Sequence, residues 1–558
     1  MAKETTMMEK LPLEKLCKNF NYLADKIAFY QPDNGKVRSY SWKDVERIIR
    51  SIITGLHQLG LNRGDAVAIY GKNSVEWIIA DWAIMLAGMI SIPVYPTANT
   101  QTLKFIVSRT NCKAVFIGKL DDKNNVNEVF SDSFPQIAFP YESAVGNISW
   151  LQWLENDAYS GDLHTGASDS VLSIMYTSGS TGDPKGVELV QSAYAAASMD
   201  TCNLLNVNEN DRLFSYLPLA HIAERVLTEG LMIYSGGAST YFTESLDTFT
   251  EDLQSSKPTI FFSVPRLWMK FLAGVEQTIP RKKLDFLLRV PMLKSIVKGK
   301  IKQKLGFSQT RIWLSGAAPI SKEVILAFEK LDVFISEAWG MTEITATGCI
   351  NFPYKSSMAG TIGKPFTKTE IRLSEQGEIQ VKGQNVFDKY HLNPDATSDC
   401  FTEDGWFKTQ DRGEWDQQGA LKIIGRLKEE FKTTTGKYII PSPIESKITS
   451  SDLIELACVM GSNRPQPFAV VMLAEHISSL EYEVVSKKLH FFLDTLNSSL
   501  ENHQKLSNIV VASEPWTIEN NALTPTMKVR RFEIETRFKD ILNNSDSIGK
   551  VVWESETK

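Results

Sequence analysis

Residues 171–190 read VLSIMYTSGSTGDPKGVELV. The first six form a compact apolar run with the length of a buried strand. They pass straight into a loop with three glycines and four hydroxyl side chains, and Lys185 stands near its end. Glycines let a backbone approach an anion closely, and successive amides form a concave nest. Hydroxyls and a lysine add donors and positive charge. The pattern predicts a polyphosphate-binding loop carried on a strand. The alternative is a flexible surface linker, but a linker seldom follows a buried strand so directly or ends in Pro-Lys-Gly. No Gly-Lys pair in the chain is followed by Ser or Thr. That excludes a Walker A loop and, with it, a simple P-loop phosphotransferase.

Around this loop the first half of the chain alternates helical and strand patterns. Ser41 and Asp44 have the spacing of a capping box. Val45, Ile48, Ile49, Ile52, Ile53 and Leu56 then recur at helical spacing up to Gly60. AVAIY (66–70), ISIPVY and AVFIG read as strands. Asn73 and Glu76 repeat the box before a helix around 77–86, and another helix is expected near 101–109. Such alternation predicts an α/β architecture, with parallel-rich sheets covered by helices. After residue 430 the texture changes. ELACVMG and FAVVMLAE are short strands flanking SNRPQP, and an amphipathic stretch follows near 480–500. This predicts a large domain over 1–426 and a small α+β domain over 427–558, with the junction near Gly425–Lys428. There is no internal repeat.

The 558 residues are 43% hydrophobic and 23% charged, which suits a globular chain of several domains. Sixty basic residues against 66 acidic ones give a net charge of -6. That balance argues against a nucleic-acid partner. The six cysteines are scattered without metal or redox spacing, which fits a reducing cytosol. The N-terminal residues do not read as a signal peptide. The long uncharged run 82–103 contains Pro93 and Pro96 and reads as buried helix, strand and turn rather than a membrane span. A cytoplasmic protein is expected.

TSGSTGDPKG resembles the phosphate-loop signature of the adenylate-forming superfamily. Further segments resembling that family follow in its order: LPLAHIAERV (217–226), LSGAAP (314–319), EAWGMTE (337–343), GWFKTQDRG (405–413), GRLKEEFKTTTGKYIIPSPIE (425–445) and LTPTMKVRR (523–531). The resemblance runs from about residue 20 to 540. LPLAHIAER, VPRLW (264–268), EEFKTTTGKY and LTPTMK are most similar to the long-chain fatty acyl-CoA synthetase branch. The resemblance implies activation of a medium- to long-chain fatty acid by ATP to acyl-AMP with release of pyrophosphate, then transfer to coenzyme A.

Residue by residue, the resemblance implies that Thr177, Ser178, Gly179, Ser180, Thr181, Gly182 and Lys185 cradle the phosphates. Glu343 would ligate Mg2+, and Thr342 would reach the α-phosphate. Trp339 and Gly340 stand in the adenine motif, Trp339 where the family commonly has Tyr. The indole face would stack on adenine, although ordinary core packing is the other reading of a buried Trp. Gly316 and Ala317 would line the opposite face, and Asp411 would accept the ribose hydroxyls. Thr409-Gln410-Asp411 departs from the family's Thr-Gly-Asp. Arg426 would contact ribose and phosphate, and Lys428 would be the hinge. Lys528 would bridge the incoming carboxylate and the α-phosphate, a task suited to a compact charge on a long stem. Arg530 and Arg531 read as structural. His221 would line the acyl pocket; no His is followed by Glu and no GxSxG elbow exists, so neither zinc-helix nor serine-elbow chemistry is indicated. Gly436 would leave room for the pantetheine arm of coenzyme A, or is a plain turn glycine.

Residues 281–304 carry nine basic residues and one acidic residue among apolar ones. They read either as a solvated helix face over core residues or as a peripheral membrane contact. Two rival functions remain at this level: a fatty acyl-AMP ligase that serves a carrier protein, and a non-catalytic nucleotide- or acyl-binding protein. Intact Lys185, Glu343, Asp411, Arg426 and Lys528 argue against the second. Chain length, saturation and oligomeric state are not legible.

Overall fold

A computed structural model describes residues 11–177, 184–478, 480–524, 527–539, 541 and 550–556. The larger part of the chain builds four sheets. The first has seven strands, from Ala66–Tyr70 at its centre to Val171–Thr177 and Lys185–Val190 at one edge. All its pairings are parallel except the last. The helix Val75–Leu86 is buried along its whole length, as the mid-sheet position of its flanking strands requires. A second sheet pairs Ile27–Asp33 with Ser239–Phe242, and a third runs Ile260–Ser263, Ile312–Ser315, Ile335–Trp339 in parallel. The fourth, over 369–426, is an antiparallel meander that the strand–helix reading does not anticipate.

The capping box forms as its spacing predicts. Ser41 Oγ accepts the Asp44 amide, and the Asp44 carboxylate accepts the Ser41 amide at 3.0 Å, starting the helix Trp42–Gln58. The second box does not form. Ser74, not Asn73, caps the helix Val75–Leu86 by accepting from the Trp77 amide. Glu76 instead faces Arg38 at 3.3 Å and accepts from the Tyr141 hydroxyl at 2.5 Å. A nearby serine offers the same cap geometry, so Asn73 is free for a longer-range task.

From residue 431 onward the chain has its own core. Ile454–Met460 pairs antiparallel with Phe468–Leu473, and the sheet continues in parallel through Ile509–Val511 and Val551–Trp553. Helices Pro441–Thr449 and Tyr482–Ser498 cover one face with Ile444, Ile448, Leu489 and Leu493, and Arg531–Arg537 covers the other with Ile534. Among the described residues, no helix is long and apolar enough to cross a membrane.

Candidate active site

Ser178, Gly179, Ser180, Thr181 and Gly182 lie outside the described residues. The strands that carry them are described, and they form an antiparallel hairpin with Thr177 opposite Lys185. Thr177 Oγ1 donates to the Lys185 carbonyl at 3.3 Å. The hairpin is steadied by the segment 387–391, whose His391 amide donates to Gly186 and whose ring faces Glu188 at 2.9 Å. That segment puts Tyr390 beneath Lys185, with the ammonium 5.0 Å from the ring centroid. The Tyr390 hydroxyl in turn donates to Glu343 Oε1 at 2.8 Å. Lys185 and Glu343, 158 residues apart in the chain by their numbers, are thus linked through one aromatic side chain. Tyr390 carries no motif signal, and the sequence reading missed it.

Glu343 sits in the 3-10 turn Thr342–Ile344 and is buried, while Thr342 is half-buried. Burial raises its carboxyl above the ordinary value, with the Tyr390 hydroxyl, Arg426 and Lys185 opposing. A buried carboxylate whose charge is only partly met by cations suits a hard divalent ion. No cluster of three or more metal-ligating side chains exists among the described residues. Glu343 offers one hard carboxylate oxygen of the kind Mg2+ takes, and its other ligands would have to come from substrate and water. Such an ion would neutralise phosphate charge.

The adenine motif is built on a tight backbone. A Cβ on Gly340 would lie 2.0 Å from the Ala346 carbonyl oxygen, so only glycine fits there. Gly316 follows the strand Ile312–Ser315, where a Cβ would press on Ala338 and Phe262, and Ala317 next to it is left-handed, φ +66°. Trp339 is 8% exposed and packs with Val187, Ile344 and Phe407. Its Nε1 donates to Asp411 Oδ2 at 2.9 Å. The indole is thus a packed residue whose Nε1–H orients Asp411. Asp411 Oδ1 also meets Arg426 Nε at 2.9 Å from the neighbouring strand. Gln410, in the place of the family's glycine, adopts φ +64° and donates from its amide and side chain to Glu378. The backbone here is left-handed, and the two bonds to Glu378 offset a strain of about 1 kcal/mol.

His221 caps the short helix Ile222–Arg225, its Nδ1 accepting the Ala223 amide at 3.2 Å. Desolvation, reinforced by Lys528, lowers its pKa to about 4, so the ring is neutral near pH 7. The loop before it is held by Asn73. The Asn73 amide donates to Ser215 Oγ at 2.8 Å and the Leu217 carbonyl at 2.6 Å, and its oxygen accepts the Leu219 amide. Asn73→Ala is expected to cost roughly 1–3 kcal/mol through the unpaired groups it leaves. It should also lower kcat/KM by misplacing His221. Denaturant unfolding beside steady-state kinetics would check this; unchanged values in both would remove Asn73 from the site's support.

Glu224 lies behind His221, accepting from Ser215 and Thr228. Burial pushes its pKa up from 4.5 to about 8. The folded state then binds a proton that the unfolded state has released, so this group's contribution to stability falls as pH rises from about 4.5 to about 8. Glu224→Gln should flatten the decline of Tm across that window. Identical slopes for Glu224→Gln and the wild type would show that Glu224 does not titrate there.

The small domain presents Lys528 to this cleft. Its amide donates to Thr524 Oγ1 at 3.1 Å, and Met527 before it takes φ +62°. Desolvation and then Arg426 lower its pKa, while Asp411, Glu429 and Glu343 pull the other way. Lys528 thus faces the residues that surround the expected phosphates. Arg531 is spent internally, on Glu445 at 2.8 Å and the Val459 carbonyl, and Arg530 donates to Asn521. Lys428 is exposed in the turn Leu427–Glu429 between the two parts of the chain. Gly436, φ +80°, is at the exposed turn between Phe431–Lys432 and Tyr438–Ile439, with open space where a Cβ would stand. The structure does not bring it among the nucleotide-facing residues.

A large part of four sheets and a small α+β part that presents a lysine toward a buried carboxylate form the architecture of an adenylate-forming enzyme. The chain belongs to the AMP-binding enzyme family, whose main domain matches residues 18–391 and whose C-terminal domain matches 430–545. It is 30% identical to a probable CoA ligase of Humulus lupulus, over 90% of this chain and 87% of the relative. It is 28% identical to long chain acyl-CoA synthetase 2 of Arabidopsis thaliana, over 93% and 89%. The fold is that of the A domain of a carboxylic acid reductase from Segniliparus rugosus, solved with AMP and a co-purified carboxylic acid. The TM-score is 0.79 at 20% identity, covering 97% of this chain and 95% of that one.

Proposed function

We propose that this enzyme is a long-chain acyl-CoA synthetase. A fatty acid carboxylate attacks the α-phosphorus of ATP, the bond to the β-phosphate breaks, and pyrophosphate leaves. The coenzyme A thiol, losing its proton, then attacks the acyl carbonyl, and AMP leaves. The observation that carries the reading is the convergence of Lys528 on Arg426, Asp411, Glu343 and His221. It is supported by the CoA-ligase and long-chain acyl-CoA synthetase names of the relatives.

In the first step Lys528 holds the carboxylate against the α-phosphate, and Lys185 and the loop 177–182 hold the outer phosphates. Fixed charges aimed at the forming bond lower the barrier because they need no reorganisation. Glu343 would hold Mg2+, which would supply further neutralisation. Asp411 holds the ribose, with Trp339 and Arg426 fixing its carboxylate; Gly316, Ala317 and Gly340 leave room for adenine. Neutral His221 lines the acid site without positive charge, its one ring proton on Nε2. The small domain, 427–558, then turns about Lys428 so that the Gly436 turn admits the pantetheine arm.

Mass spectrometry of the products from ATP, Mg2+ and a ladder of fatty acids, with and without coenzyme A, tests the reading. Acyl-CoA with a maximum at long chains is expected. Acyl-AMP that accumulates without any thioester would replace it with an acyl-AMP ligase serving a carrier protein.

A further inference from the structure

The basic stretch 281–304 folds as two helices, Arg281–Leu287 and Pro291–Lys304. A solvated helix pair over a core would bury its apolar side chains and leave charges outside. Leu284 and Ile301 are buried, and Leu288 and Val297 are partly buried against the same core. Phe286, Met292, Leu293 and Ile296 are instead 64, 82, 41 and 53% exposed. They flank the junction of the two helices, and Met292 and Ile296 are one turn apart on the second. The charges around them are unbalanced. Lys282, Lys283, Arg289, Lys294 and Lys300 are exposed and have no ion pair among the described residues. The one acid, Asp285, is taken by Lys330 at 3.2 Å. Lys298 does not belong to this surface: it is buried against Asp332 at 2.7 Å.

We propose that this helix pair is a docking surface for an anionic lipid bilayer. Phe286, Met292, Leu293 and Ile296 enter the headgroup–acyl boundary, and the five free cations meet lipid phosphates. Apolar burial and charge attraction act together in such a surface. A second copy of the chain is a poorer occupant, because a two-fold contact would set the same cations against each other. The chain as a whole is at -6, so the attraction is local to these helices. The inference does not depend on which acid the enzyme activates.

The test is co-sedimentation of the full chain with phosphatidylcholine vesicles, with and without phosphatidylglycerol, in the absence of substrates. Two double variants are compared with the wild type, Met292→Glu/Ile296→Glu and Lys282→Glu/Lys283→Glu. All four positions are exposed, and unchanged pyrophosphate release confirms that the variants fold. Binding should require phosphatidylglycerol, weaken with added salt, and fall on the order of tenfold or more in each double variant. No binding to anionic vesicles, or equal binding by all three proteins, would overturn the proposal. Self-association of the wild type that Met292→Glu/Ile296→Glu abolishes, with no vesicle binding, would also overturn it and make the surface a subunit contact.

Discussion

Lys528→Ala is expected to abolish acyl-AMP formation while leaving thioester formation from supplied acyl-AMP nearly intact. The lysine acts only where carboxylate and α-phosphate, both negative, must be brought together. Removing a charge aimed at a forming bond costs on the order of 10²–10³-fold or more in rate. The second step has a neutral thioester-forming carbon and a departing AMP, and in the proposed cycle Lys528 has turned away. Pyrophosphate release and acyl-AMP consumption, followed separately, read the two steps. Equal loss in both would mean that Lys528 holds the domain arrangement rather than the reacting groups.

The largest effect on stability should come from Arg225. Its side chain is fully buried between two carboxylates, Asp81 and Glu229, the latter at 3.3 Å, and its carbonyl accepts from the Tyr194 hydroxyl. The three groups tie the helix Val75–Leu86 to the wide-turn segment Val226–Gly230. Burial and Asp81 raise Glu229 well above an ordinary carboxyl, and burial raises Asp81 also. One cation therefore serves two acids, and burial pushes both toward their neutral forms. Arg225→Ala would leave both acids buried without their cation, at a cost of roughly 3–5 kcal/mol. Replacing the set with Asp81→Leu, Arg225→Met and Glu229→Met should recover most of that loss, because apolar groups need no partner. Denaturant midpoints of the single and triple variants check it. A neutral Arg225→Ala would show that water already serves these groups.

Much of the fold was legible because its signals are local. The Ser41–Asp44 box and the apolar runs at 66–70, 171–176 and 468–473 need only their own neighbours to be read. The Asn73–Glu76 box failed for the same reason. Its spacing is right, but Ser74 takes the cap, and Asn73 is claimed by residues 215–219, more than a hundred positions away. Tyr390 was invisible because its role arises only when the segment 387–391 packs beside the Lys185 strand. Trp339 was legible as a ring, but its bond to Asp411 depends on a strand from the antiparallel meander that the alternating pattern did not announce. Gln410 illustrates the converse: the departure from glycine was plain in the sequence, and the structure supplies the reason it is tolerated, the two bonds to Glu378.

The central claim is that a fatty acid carboxylate attacks the α-phosphorus of ATP. It is tested most directly with a fatty acid carrying oxygen-18 in both carboxylate positions, incubated with ATP, Mg2+ and coenzyme A. The account predicts that AMP leaves with one labelled oxygen on its phosphate while the acyl-CoA retains the other. Unlabelled AMP, or ADP with the label in inorganic phosphate, would place the attack elsewhere and contradict it.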